Sequence, residues 1–135
     1  MTTRLTHVEA PAGVAPSPQY SHVVWGNGRF VAISGQCAFD VDGTIVGEGD
    51  PAAQARQVFE NLRRCLAAAD ATFDDVVKLT YFVTDMAHMA GVREARDEVF
   101  GAGLLPASSA VQVAALIRPE LLVEIEAFAL VGEEG

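Results

Sequence analysis

The residues of this chain best placed to do chemistry lie near its end, where Glu124 and Glu126 stand two apart in the run Val123-Glu124-Ile125-Glu126-Ala127-Phe128-Ala129. Successive side chains of an extended strand point to opposite faces. Both carboxylates therefore share a face with Leu122, Phe128 and Leu130, while Val123, Ile125, Ala127 and Ala129 form the other. An acid-bearing face that is half apolar reads as a second covered face, and another subunit is the economical cover. Glu124 is thus a candidate base or water-orienting group. Glu126 is a candidate for a coupled pair with it, or for pairing with a cation at an interface. Upstream, Ser108 and Ser109 have no Gly-x-Ser-x-Gly elbow and no histidine after them in the chain, so their hydroxyls read as ligand donors rather than nucleophiles. Cys37 has no basic group fixed beside it by sequence, which argues against a catalytic thiolate. His7, His22 and His88 lack the paired spacing of a metal site, and no Gly-rich strand-to-helix turn offers a cradle for a nucleotide cofactor.

Composition narrows the classes further. A chain of 135 residues, 50% hydrophobic, has the length for one domain (residues 1–135) with a real core. Net charge is -9 with no cluster of Lys and Arg, so a phosphate backbone is repelled and nucleic acid is not an expected partner. The opening Met1-Thr2-Thr3-Arg4-Leu5-Thr6-His7 lacks the apolar core of a signal peptide, and no apolar run approaches the roughly 18 residues that span a bilayer. Cys37 and Cys65 show no disulfide spacing. These features predict a soluble cytoplasmic protein with no membrane partner.

The elements that must position the acids are also legible. Residues 1–20, with Pro11, Pro16 and Pro18, predict an irregular lead-in. Two β-rich runs, 21–26 and 29–36, flank Asn27-Gly28, the residue pair that best tolerates positive φ at both centres of a type I′ turn, and predict a hairpin. Asp42-Gly43 marks a second turn. Asp50 can cap a helix that carries Pro51 at its first position and runs over 51–69, with Ala55, Val58, Phe59, Leu62, Leu66 and Ala69 on one face. A strand over 75–84 ends at Asp85, which can cap a second helix over 86–100 with Met89, Val92 and Val99 as its buried stripe. Gly101, Gly103 and Pro106 end that helix before two closing strands. The order predicts an α+β fold in which two helices lie on one face of a single sheet and oligomerisation covers the other.

Ser34-Gly35-Gln36, the helix opening Ala53-Gln54-Ala55-Arg56-Gln57, and Pro106 through Val123-Glu124-Ile125-Glu126-Ala127 resemble, in order and spacing from about residue 20 to 130, the RidA or YjgF family of imine and enamine deaminases. The resemblance implies a chorismate mutase-like fold with a mixed β-sheet. It also implies a homotrimer formed through the sheet face, an active cleft at each subunit interface, and no cofactor. In the deaminating members an arginine two residues after the proline grips the substrate carboxylate. A later glutamate orients a water that attacks the imine carbon and releases ammonia. The glutamate position matches Glu124, the cleft aromatic matches Tyr20, and the pocket backbone matches Ser34, Gly35, Ala107 and Ala110. The arginine position holds Ser108. A serine hydroxyl offers one neutral hydrogen bond where guanidinium offers a charged bidentate fork. Arg93, where family members often carry a small polar residue, and Arg118 are the two cations that could replace it. The expected function is therefore cofactor-free hydrolysis or deamination of a small imine, enamine or related C–N compound. A typical 2-imino acid is not expected, and Ser108 and Ser109 would hydrogen-bond a neutral substrate. The alternatives are a catalytically silent small-molecule-binding or regulatory trimer and an endoribonuclease, the latter disfavoured by charge.

Overall fold

The computed structural model describes residues 4–132. Six strands and two α-helices form among them: β1 (Leu5–Val8), β2 (Val23–Gly26), β3 (Arg29–Gln36), α1 (Pro51–Ala68), β4 (Val76–Val83), α2 (Met89–Phe100), β5 (Ala107–Gln112) and β6 (Val123–Val131). A local cap sets the start of α1, where the Asp50 side chain accepts the Ala53 amide at 3.1 Å with Pro51 in the first turn. The expected Asp85 cap falls instead on a short 3-10 turn at Met86–His88, and α2 begins only at Met89, after His88, with no side-chain cap. The main sheet has the order β3-β6-β4-β5. Its β3/β6 and β6/β4 pairs are antiparallel and its β4/β5 pair is parallel, so the sheet is mixed, as expected. The parallel pair requires a crossover, and α2 provides it.

The core lies between the helices and one face of this sheet. Val58, Phe59, Leu62 and Leu66 of α1 and Met89 and Val92 of α2 pack with Leu79, Val83, Val123, Ile125 and Ala127, all buried. Side chains of this size contribute about 1.5–3 kcal/mol each when buried. Along β6 the alternation holds residue by residue: Val123, Ile125, Ala127, Ala129 and Val131 are buried, whereas Glu124, Glu126, Phe128 and Leu130 are half-buried on the opposite face. Among the described residues that face carries no helix. Phe30 of β3 is 62% exposed there, opposite Leu130 and with its ring centroid 5.5 Å from that of Phe128.

Two further expectations are corrected. The lead-in over residues 1–20 contains a strand, because β1 pairs antiparallel with β2, Leu5 opposite Gly26 and Val8 opposite Val23, and Leu5 is buried. Nor do residues 21–26 and 29–36 form a hairpin with each other. β2 belongs to a two-stranded sheet with β1, while β3 pairs with β6. Gly28 has φ +143, whereas Asn27 is not among the positive-φ residues, so a type I′ turn does not form. A Cβ on Gly28 would meet the Val131 carbonyl oxygen at 2.5 Å, so glycine serves there to let the turn approach β6.

Among the described residues no helix is long and apolar enough to cross a membrane.

Candidate functional site

The residues matched to the pocket fall into two groups on one chain. The first surrounds the β5 edge of the sheet. Tyr20, Arg93, Ser108, Ser109 and Ala110 line a cavity of about 680 Å³ together with Lys78, Tyr81 and Arg96, which the sequence reading had not singled out. That size suits a small organic molecule. The segment carrying Tyr20 is tied down at several points. The Ser21 amide donates to the Pro106 carbonyl at 3.2 Å, and the Ser21 hydroxyl donates to the Leu105 carbonyl at 2.7 Å. Arg96, 6% exposed, donates to the Gln19 carbonyl at 3.1 Å and to its side-chain oxygen at 2.9 Å. Arg96 thus anchors the residue beside Tyr20, and its charge is offset by Asp97 at 2.8 Å.

The electrostatics of this cavity run against those of the whole molecule. Its lining includes Lys78, Arg93 and Arg96 and no carboxylate, on a chain of net charge -9. Among the described residues neither Arg93 nor Lys78 makes an ion pair. Lys78 donates only to the Ser109 hydroxyl, at 3.0 Å. Burial, opposed by the nearby charges of Arg96 and Arg93, pushes the Tyr81 phenol up to about 12, so its hydroxyl stays protonated. The spacing of Arg93 and Arg96, one helical turn apart, was the available signal for Arg96. Arg118 stands elsewhere, 3.6 Å from Glu120.

The second group lies on the helix-free face where β3 meets β6. Pairing runs from Ile33 opposite Ala127 to Gln36 opposite Ile125, so Ser34 and Gly35 both stand against Glu126 in a bulge. The bulge brings the Gly35 backbone onto Glu124: a Cβ there would lie 2.8 Å from the Glu124 carboxyl carbon and closer still to Oε2. Cys37, just past β3, donates its thiol to Glu124 Oε1 at 3.2 Å. Gly35, Cys37 and Glu124 share a groove with Gln57 and Asn61 of α1. Ser34 is exposed beside it, Ala107 is half-buried at the start of β5, and Glu126 is half-buried opposite Thr80. The two groups differ in chemistry: one is a cationic, hydroxyl-lined cavity, the other a carboxylate held between a glycine backbone and a thiol.

The Cys37 thiol is pushed up to about 12, first by burial and then by the hydrogen bond and charge of Glu124. It therefore stays protonated in the fold at pH values where the unfolded chain, near 9.0, has ionised. The native state then holds the extra proton, so its stability is complete below about pH 9 and falls as pH rises toward 12. We expect the melting temperature to decline across this window and Cys37→Ala to flatten part of the decline, with Tyr81 contributing the rest. Thermal melts of both proteins from pH 7 to 11 check it, and parallel pH slopes would count against the burial of a protonated thiol.

A family model described as Endoribonuclease L-PSP matches residues 10–131. A RutC family protein from Synechocystis is 39% identical over 123 residues, covering 90% of this chain and 91% of that protein. The protein DfrA from Myxococcus xanthus is 38% identical over 122 residues, 90% of each chain. Among solved structures, the Rid family protein YyfB from Yersinia pestis superposes with a TM-score of 0.85 at 36% identity, covering 96% of this chain and 100% of that one.

Proposed function

Because this chain belongs to the Rid family, also called RidA or YjgF, we propose that it is a cofactor-free hydrolase of a small imine or enamine, with Glu124 activating water. The observation that carries this reading is the placement of Glu124, half-buried on the helix-free face with its carboxylate set between the Gly35 backbone and the Cys37 thiol. Such a group can take a proton from water as the oxygen adds to the imine carbon. Glu124 returns that proton to the nitrogen; collapse of the adduct then breaks the C–N bond, with the hydroxyl proton lost as the carbonyl forms, and ammonia leaves behind a carbonyl compound. On this reading neighbouring copies complete one cleft, the cavity at β5 of one chain facing Glu124 of the next. The apolar Phe30 and Phe128, farther along the same face of the sheet from Glu124, fit such a junction.

Ser108 removes the carboxylate fork from β5, and taken alone it points to a neutral substrate. Arg93 changes that balance, since it lines the same cavity as Ser108 from α2 and has no ionic partner among the described residues. Arg93 therefore serves as the substrate's cation, and the substrate class extends back to imines bearing a carboxylate. Ammonia release from matched pairs of imines, one member with a carboxylate and the other with its amide, tests both parts. We expect turnover of the carboxylate member, with Arg93→Met raising its KM about tenfold or more through loss of a charge-assisted pair and sparing the amide. Preference for the amide with an unmoved KM would make Arg93 a solvated charge. Thermal-shift ligands that bind without ammonia release would favour a silent binding trimer. With 18 acids against 9 Lys and Arg, the chain is poorly suited to the endoribonuclease activity in the family model's description.

A further inference from the structure

Glu124 has two carboxylate oxygens with different surroundings. Oε1 accepts the Cys37 thiol at 3.2 Å, while the Oε2 side lies over the Cβ-free backbone of Gly35. Among the described residues Glu124 makes no ion pair, and the thiol is its one side-chain hydrogen-bond donor. The thiol in turn is not free to wander. The Asn61 amide nitrogen donates to the Cys37 carbonyl at 3.0 Å and to the Phe39 carbonyl at 2.9 Å. Asn61 is itself fixed by the Gln57 side chain one helical turn earlier, at 2.9 Å. A relay thus runs from α1, through two side-chain amides and the loop after β3, to a thiol and then to the carboxylate.

We propose that Cys37 is a positioning residue for Glu124: its thiol holds Oε1, which fixes the rotamer and leaves Oε2 as the oxygen that takes the proton from water. A carboxylate held at one oxygen presents the other in one direction, and that saves reorientation in the transition state. The thiol suits the task because it remains a donor throughout the neutral range, its ionisation lying far above it. It is also a weak donor, so it orients the carboxylate without consuming its basicity as a guanidinium would. The inference rests on the reading of Glu124 as the water-activating group.

The test has a spectroscopic arm that needs no substrate. Cys65→Ala leaves Cys37 as the only thiol in the chain, so a single S–H stretching band is read by Raman spectroscopy. We expect it at the lowered frequency of a hydrogen-bonded thiol and expect Glu124→Ala to move it upward. A band indifferent to Glu124→Ala overturns the proposal. The kinetic arm compares Cys37→Val, of similar bulk but without a donor, with Cys37→Ser, which keeps one. Loss of a weak-donor hydrogen bond predicts about a fivefold to tenfold lower kcat for Cys37→Val with KM unmoved, and recovery of most of it in Cys37→Ser. Equal kcat values for the two variants and the parent also overturn it, while leaving Glu124 in its role. If Glu124→Ala itself keeps full turnover, the proposed function fails whatever the Raman band does.

Discussion

Glu124→Gln is expected to lower kcat for imine hydrolysis by about 10³-fold, the usual cost of removing a positioned general base. The substitution keeps the shape of the side chain and its capacity to accept the Cys37 thiol through the amide oxygen. What it removes is the ability to take a proton. KM should therefore stay within about twofold and the loss should fall on kcat, the signature of an interaction made only in the transition state. Stability should hardly move. Glu124 is half-buried on the helix-free face and has no ion pair among the described residues to break, so a change within about 0.5 kcal/mol is the ordinary expectation for such a site. Ammonia release under saturating substrate, read beside a thermal melt, checks both halves. A variant that retains a tenth of the parent kcat would move the proton transfer to another group, and Glu126, opposite Thr80 on the same face, would be the next to replace.

What the sequence made legible follows from the range of the interactions involved. Asp50 and Pro51 set the start of α1, and the alternation along β6 assigned each side chain to its face. Both are decided by residues a few positions apart. The expected hairpin failed because Asn27-Gly28 reports only that the chain can turn there. Whether β3 pairs with β2 or β6 depends on Val131, more than 100 residues away, against whose backbone Gly28 packs. β1 was missed for the same reason, since four residues without a turn signal become a strand only when β2 is beside them. The site shows the same division. The acids were read from local pattern and the roles of Tyr20 and Ser108 from family resemblance. Contacts made only in three dimensions, Cys37 with Glu124 and Lys78 with Ser109, were outside either signal.

Gly35→Ala is expected to cut kcat by about 10²-fold while leaving the fold nearly as stable as before. Gly35 is not among the glycines held at positive φ, so alanine meets no backbone strain there. Its new methyl would instead collide with Glu124, 2.8 Å from the carboxyl carbon and 2.9 Å from Cγ. Those atoms are the far end of a flexible side chain, and a rotamer change that costs about 1 kcal/mol relieves the clash. The reduced entropy of the unfolded chain offsets about 0.4–1 kcal/mol of that cost. The rotamer change is nevertheless what catalysis cannot tolerate, because it carries the carboxylate away from the Cys37 thiol and from the bulge. Gly28→Ala is the contrasting experiment. There φ is +143 and the obstacle is the Val131 backbone, which cannot swing aside, so we expect a clear loss of melting temperature and near-normal kcat for the molecules that remain folded. The same one-carbon change would thus act on activity at one glycine and on stability at the other. If Gly35→Ala instead unfolds the protein, or leaves kcat intact, then the carboxylate's place above Gly35 is not its working position.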